Sequence, residues 1–267
     1  MIKPKIELIY SDDKIIVINK PAGVSVTKDR TGAAQLTDML SGRLQPEELS
    51  SLRLVHRLDK DTSGVMILAR NKPTQSEFSG YFEKQLVRKT YLAIVAGAPL
   101  AHEGTINTPL KRHPKKPALM CATSRKGKNA ITKWKLLAGF GSVALLAVSP
   151  LTGRTHQIRV HLASIKLPVA IDPLYGSRAP LLLSDFKQDY RLTKDRNEKP
   201  LIERLTLHAY QIQLPSPQPN RPCSFIAALD KKFAATIKML TKHNPNGLNA
   251  FLDPTDFDKI LKSRSLY

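Results

Sequence analysis

The apolar residues of this chain fall into short β-branched runs bounded by turn signals, and this constrains the fold more than any other feature. Ile15 to Ile18 ends at Asn19-Lys20-Pro21-Ala22-Gly23 and reads as a buried strand feeding a turn. Val65 to Ala69 reads as another buried strand, and Tyr91 to Val95 as a strand stopped by Gly97 and Pro99. Ile131 to Leu137 and Val143 to Val148 flank Gly139-Phe140-Gly141, which predicts a hairpin. His208, Tyr210, Ile212 and Leu214 alternate as in a half-buried strand. Helical spacing occupies fewer segments. Thr37 to Leu44 is a short helix ended by Gln45-Pro46, and Thr74 to Lys84 places Phe78, Tyr81 and Phe82 on one face. Thr155 to Ile165 spaces Ile158, Leu162 and Ile165 at i, i+4 and i+7, with Thr155 as N-cap. Two further short helices are expected near 229–241 and 255–264. Strands and helices do not alternate regularly and hairpins recur. The expected fold class is therefore α/β of the α+β kind, a mixed and largely antiparallel sheet rather than a doubly wound one.

Residues 178–200 are polar and read as a surface loop, and Pro215, Pro217, Pro219 and Pro222 mark another. No internal repeat or long linker divides the chain. A single domain over 1–267 is expected, with a core at about 10–220 and a C-terminal helical extension at about 221–267. Two cysteines, Cys121 and Cys223, exclude a disulfide scaffold and a four-cysteine zinc site. No apolar run approaches the ~18 residues of a membrane span. The first residues, Met1 to Glu7, lack the apolar stretch of a signal peptide, so the cytoplasm is the expected compartment.

Forty-two basic residues against 22 acidic give a formal charge of +20. Such an excess fits a polyanionic partner, because each phosphate neutralised by Lys or Arg releases counterions. Its placement is uneven: residues 1–50 hold seven basic and seven acidic side chains, whereas 84–135 hold twelve basic side chains and one acid, Glu103. A surface tuned for solubility does not require that asymmetry. A membrane-surface helix is disfavoured, because Pro109, Pro114 and Pro117 break the basic stretch.

The densest polar cluster is Leu54-Val55-His56-Arg57-Leu58-Asp59-Lys60-Asp61-Thr62-Ser63-Gly64, immediately before a predicted strand. A calcium loop would match Asp59, Asp61, Ser63 and Gly64, but its twelfth position is Arg70 where the ion needs a bidentate Glu. A structural reading pairs Asp59 with Arg57 or Lys60 and makes Thr62-Ser63 a turn. Paired carboxylates, Asp59 and Asp61, lack a nearby third acid for two-metal chemistry. The fourth reading is a lone nucleophilic Asp in a basic RNA-binding setting.

A second cluster, Thr152-Gly153-Arg154-Thr155-His156-Gln157-Ile158-Arg159-Val160-His161, combines a glycine turn, a helix start and two arginines. His156 and His161 lack the i, i+4 spacing of a zinc protease, and no phosphate-binding loop or dinucleotide fingerprint occurs. No metal is expected.

Together these segments resemble a known family. His56 to Gly64 resembles the HRLDxxTSG signature of the RluA-type pseudouridine synthases. Asn19 to Val24 resembles the family's KPxG motif, Lys89 to Ala93 its K-x-Y-x-A motif, and Thr152 to His161 its GRTHQIRxH motif. Asp172-Pro173-Leu174-Tyr175-Gly176 and Leu207-His208-Ala209 match further segments in the same order. The resemblance spans roughly 14–215. It implies that Asp59 is the catalytic nucleophile, that Tyr91 stacks on the uracil, and that Arg159 forms an ion pair with Asp59. Arg57 would fill the space left by the extruded nucleotide, and Lys20, Arg154 and His156 would support RNA binding. Asp61 is expected to structure the loop, and Trp134 to lie in the core.

Many members of that family carry an N-terminal S4-type RNA-binding domain. Only about 14 residues precede the first predicted strand here, so that module is expected to be absent. RNA grip then falls to the basic 84–135 region, with Lys111, Arg112, Lys115 and Lys116 as the expected contacts. Isomerising uridine breaks an N–C glycosidic bond and forms a C–C bond without redox change, so no cofactor is expected. A stacked base cannot rotate for reattachment, so it must be flipped out. The resemblance thus implies site-specific conversion of uridine to pseudouridine in structured RNA, ribosomal first and transfer RNA next. The implied architecture is two lobes flanking a basic cleft with Asp59 at its floor. RNA is the expected partner, with neither DNA nor membrane, and a monomer is the default. The rival from another class is a non-catalytic RNA-binding protein on the same fold.

Overall fold

The computed structural model describes residues 6–26, 36–187, 190–191, 197–215 and 223–263. The strands are β1 (Glu7–Ser11), β2 (Ile15–Lys20), β3 (Arg53–Leu54), β4 (Ser63–Ala69), β5 (Arg88–Ala96), β6 (Glu103–Asn107), β7 (Leu110–Arg112), β8 (Met120–Ala122), β9 (Ile131–Gly139), β10 (Val143–Pro150), β11 (Leu207–Gln213) and β12 (Ser224–Ile226). The helices are α1 (Leu36–Leu40), α2 (Pro46–Ser51), α3 (Lys72–Glu83), α4 (Gln157–Ser164), α5 (Lys231–His243) and α6 (Thr255–Lys262), with a 3-10 turn at Gly247–Ala250. The described residues form two compact units, one drawn from those up to 91, those in 208–228 and residue 263, the other from those in 92–207 and 229–262.

In the first unit the strand order is β1-β2-β4-β11, with β3 paired to β4 and β12 to β11. β2 and β4 are antiparallel from Ile15↔Ala69 to Lys20↔Gly64, whereas β4 and β11 are parallel through Ser63↔His208 and Gly64↔Ala209. The sheet is therefore mixed, as expected. β4 is buried at every position and β2 at all but Asn19. That explains continuous apolar runs in place of alternation: both faces of these strands are covered. Ile16, Ile18, Met66, Ile67, Phe78 and Phe225 lie in one core cluster. Asn71 caps α3 by accepting the Thr74 N–H at 2.9 Å. Gln45-Pro46 does more than end a helix. Pro46 opens α2, because a first-turn proline loses no hydrogen bond, and Glu48 reaches back to the Gln45 N–H at 3.0 Å.

In the second unit the order is β5-β10-β9-β6. The expected β9–β10 hairpin runs from Gly139↔Ala144 to Thr132↔Pro150, and Trp134 is buried on β9. The basic excursion at 99–130 is not uniformly extended. β6 pairs with β9 from Glu103↔Lys135 to Asn107↔Ile131, and β7 and β8 form a separate antiparallel ribbon, Leu110↔Ala122 to Arg112↔Met120. Backbone pairing makes strands there despite weak apolar patterning. α5 is capped by Asp230, whose carboxylate accepts the N–H groups of Lys232 and Phe233 at 3.1 and 3.2 Å. The expected helices near 229–241 and 255–264 are α5 and α6; residue 264 lies outside the described residues, as do Met1–Lys5, Pro217, Pro219, Pro222 and parts of the 178–200 loop. Among the described residues no helix is long and apolar enough to cross a membrane.

Candidate active site

The first unit builds the loop that carries Asp59. Asp59 sits half-buried between β3 and β4, and its carbonyl accepts the Thr62 N–H at 3.1 Å. The next carbonyl, that of Lys60, accepts both the Gly23 N–H at 3.0 Å and the Lys20 Nζ at 2.9 Å. Lys20 is 0% exposed and donates also to the carbonyls of Pro21 at 3.0 Å and Val24 at 2.9 Å. Three acceptors call for three N–H bonds, which a lysine side chain has only as an ammonium. Lys20, expected in a supporting role in RNA binding, lies in the interior of the fold. Its charge is spent inside the fold, binding the Lys-Pro turn to the Asp59 loop.

The far end of that loop is pinned by a second set of buried groups. Ser63 Oγ meets His208 Nδ1 at 2.9 Å, and His208 Nε2 meets the Ala227 carbonyl at 3.0 Å. A carbonyl only accepts, so Nε2 carries a proton, and in the neutral ring Nδ1 then accepts from Ser63. Gly64 has φ +117, and a Cβ there would overlap the Ala209 carbonyl of the paired strand. Only glycine fits that approach.

His56 Nε2 accepts the Ile67 N–H at 2.9 Å, and the ring stacks on Phe82 with centroids 4.6 Å apart. Burial, with the Lys89 charge nearby, pulls His56 down to about 3, so it is a neutral structural acceptor. Burial likewise pulls Lys89 down to about 8. Tyr91, two residues further along β5, is pushed well above the usual tyrosine range by burial and by the Asp59 charge. Its phenol therefore keeps its proton near neutrality and can stack, donate or hold a proton beside that carboxylate. Arg57 is exposed.

The second unit carries the other cluster. The expected N-cap Thr155 is exposed, and α4 begins two residues later after His156, a left-handed residue with φ 53°. The reason is Gln157, whose Oε1 accepts from Thr152 Oγ1 at 2.7 Å and the Arg154 N–H at 2.9 Å. Its Nε2 donates to the Ile131 carbonyl at 3.0 Å and Thr132 Oγ1 at 2.9 Å. Gln157 thus shapes the turn that a cap would otherwise shape. His161 bridges Thr132 Oγ1 at 2.8 Å and the Thr108 carbonyl at 2.9 Å, linking α4 to the root of the β7–β8 ribbon.

Arg159 is 5% exposed and makes a two-pronged pair with Asp172, Nε to Oδ2 and Nη2 to Oδ1, both at 2.7 Å. Asp172 and Tyr175 belong to a matched motif, but the match assigns them no role; a buried arginine's need for a carboxylate is the signal that finds Asp172. Arg154 is exposed and donates through Nε to the Asn129 carbonyl at 3.0 Å, and His156 Nδ1 meets the Tyr175 hydroxyl at 2.8 Å. Lys111, Arg112, Lys115 and Lys116 are all exposed on or beside the ribbon. The structure thus groups Lys20, Arg57, Asp59 and Tyr91 in one unit, and Arg154, His156, Arg159 and the ribbon cations in the other.

Residues 14–164, which contain both clusters, match the family model described as RNA pseudouridylate synthase. The chain belongs to that family. An uncharacterized RNA pseudouridine synthase of Zymomonas mobilis is 36% identical over 233 residues, 85% of this chain and 94% of that one. The ribosomal large subunit pseudouridine synthase D of Nitrosomonas europaea is 32% identical over 240 residues, 88% of this chain and 65% of that one. Among solved structures, human RNA pseudouridylate synthase domain containing 4 superposes with a TM-score of 0.63 at 26% identity, covering 87% of this chain and 92% of that one. An RNA pseudouridine synthase is an isomerase acting on RNA, and the mixed, mostly antiparallel sheet is the architecture shared with these structures.

Proposed function

We propose that this synthase converts specific uridines of a structured RNA to pseudouridine, with ribosomal RNA as the first candidate and transfer RNA the second. The observation that carries the reading is the bracing of the Asp59 loop. Lys20 and Gly23 hold the carbonyl of the adjacent residue, and the neutral Tyr91 phenol lies within the field of the Asp59 carboxylate. Ribosomal RNA is favoured because relatives such as that of Nitrosomonas europaea are named for the large ribosomal subunit.

In this reading Asp59 is the nucleophile. The N1–C1′ bond of uridine breaks, a C5–C1′ bond forms, N1 gains a proton and the C5 proton leaves to solvent. Tyr91 stacks on the uracil. In this reading Arg159 is the cation that assists Asp59. The target base is flipped out at a cost of a few kcal/mol, offset by stacking and by Arg57 as the wedge. Lys111, Arg112, Lys115 and Lys116, with Arg154 and His156, hold the RNA. The chemistry needs no redox partner, and the chain acts as a single catalytic domain.

The test uses ribosomal and transfer RNA transcripts carrying tritium at uridine C5, with chelator present. Wild type is expected to release tritium from ribosomal RNA, and Asp59→Asn to release none. Release persisting in Asp59→Asn would remove Asp59 from its role, and release from transfer RNA alone would reassign the substrate.

A further inference from the structure

We infer that Asp172 and Tyr175 are positioning residues that hold the Arg159 guanidinium in its working orientation, and that Tyr175 ties this orientation to the basic β7–β8 ribbon. This rests on the reading of Arg159 as a residue that assists Asp59.

A buried ion pair is weak as a stabiliser, because desolvation offsets much of its Coulomb energy; its value lies in geometry. Asp172 is 0% exposed and takes two of the five N–H bonds of Arg159 in a planar fork, which fixes the plane of the guanidinium. The carboxylate is itself held. Asp172 Oδ1 accepts the backbone N–H groups of Leu174 at 2.9 Å and Tyr175 at 3.2 Å, so the turn through Asp172–Tyr175 sets its direction. Tyr175 closes the arrangement from the flat side, with the guanidinium carbon 5.2 Å from the ring centroid. Carboxylate edge and aromatic face together leave the guanidinium little freedom to tilt or rotate.

The Tyr175 hydroxyl extends the clamp outward. It accepts the Met120 N–H at 2.8 Å and meets His156 Nδ1 at 2.8 Å. Met120 is the first residue of β8, and Met120, Ala122 and Tyr175 all pack on the small cluster of Leu110, Ala130 and Val160. Val160 follows Arg159 on α4, and Leu110 begins β7. The ribbon that displays Lys111 and Arg112 is therefore continuous, through one phenol, with the support of Arg159. RNA seated on the ribbon would bear on the residue that assists the chemistry.

Single-turnover tritium release at saturating RNA, with Kd measured by filter binding, tests this. The variants are Arg159→Ala, Asp172→Asn, Tyr175→Phe, and the last two combined with Arg159→Ala. Asp172→Asn should slow the reaction by about 10²-fold, the scale of a small misplacement of a catalytic group, with Kd unchanged. Tyr175→Phe keeps the ring and loses the bridge, and should slow it several-fold. Neither should slow Arg159→Ala further, because residues acting through one group are not additive. A purely structural role would multiply the losses instead, and that outcome, or an unchanged rate in both single variants, overturns the proposal. If Arg159→Ala alone keeps the wild-type rate, the reading of Arg159 fails first, and that one variant identifies the fault. Should Asp172→Asn not fold, Tyr175→Phe carries the test, since the half-buried ring remains in place.

Discussion

Lys20 Nζ donates to the Lys60 carbonyl at 2.9 Å, one residue past Asp59. A buried cation in the Lys-Pro turn therefore braces the loop that presents the proposed nucleophile. Lys20→Met keeps the aliphatic length but leaves the carbonyls of Pro21 and Val24 without this donor, while the Lys60 carbonyl keeps only the Gly23 N–H. Stability should fall by about 2–4 kcal/mol, because each buried acceptor left unmet costs on the order of 1–3 kcal/mol before relaxation. Urea unfolding measures the loss. Single-turnover tritium release should fall while RNA affinity holds, and weakened RNA binding with normal stability would return Lys20 to the RNA surface.

His56 predicts a pH dependence. The folded protein holds it neutral down to about 3, whereas an unfolded histidine takes up its proton near 6.5. Between these values the unfolded chain binds the extra proton, so the contribution of His56 is complete above 6.5 and is lost as pH falls toward 3. The slope is at most about 1.4 kcal/mol per pH unit for this one group. His56→Gln keeps an acceptor for the Ile67 N–H without the titration. Its Tm should drop less than that of wild type between pH 7 and pH 5, and equal drops would show that His56 titrates normally.

Gly64→Ala should be among the most damaging single-methyl changes in the chain. The backbone there has φ +117, and the new Cβ would collide with the Ala209 carbonyl, a backbone atom that cannot swing aside. Strain of this kind costs on the order of 1–3 kcal/mol before any clash is counted. The β4–β11 pairing must shift, carrying Ser63 and the Asp59 loop with it. Loss of soluble protein, or a large fall in the urea midpoint together with loss of tritium release, is the expected result. A fully active, normally stable variant would refute it.

Neutralising Lys111, Arg112, Lys115 and Lys116 together should weaken RNA binding and flatten its salt dependence. Every phosphate that is no longer neutralised lowers the slope of log K against log salt by about 0.7 on single strands. All four side chains are exposed, so folding should be untouched. Binding measured from low to moderate salt gives the slope directly, and an unchanged slope would show that the ribbon faces away from RNA.

The elements readable in the sequence are those whose pattern is local. The runs at Ile15–Ile18 and Val65–Ala69 form β2 and β4, and the Gly139-Phe140-Gly141 turn joins β9 to β10 as expected. The segment at 99–130 is less legible, because β6, β7 and β8 owe their extended state to partners rather than to apolar alternation. The start of α4 departs from its expected place for a related reason. Thr155 has the chemistry of a cap, but the buried Gln157 amide, answering to Thr152, Ile131 and Thr132, decides where the helix begins.

By itself the sequence determined the sheet-forming runs, the excess of positive charge around 84–135, and the order of the motifs that place the chain among RNA pseudouridine synthases. These follow from neighbours along the chain. The tertiary structure decided which charges are spent indoors. Lys20, a motif residue that reads as a surface cation, is buried against three carbonyls, and Arg159 is locked to Asp172, thirteen residues away, under the ring of Tyr175. Charge is visible in a sequence, but the cost of desolvating it, and the partner that meets that cost, exist only once distant segments have packed.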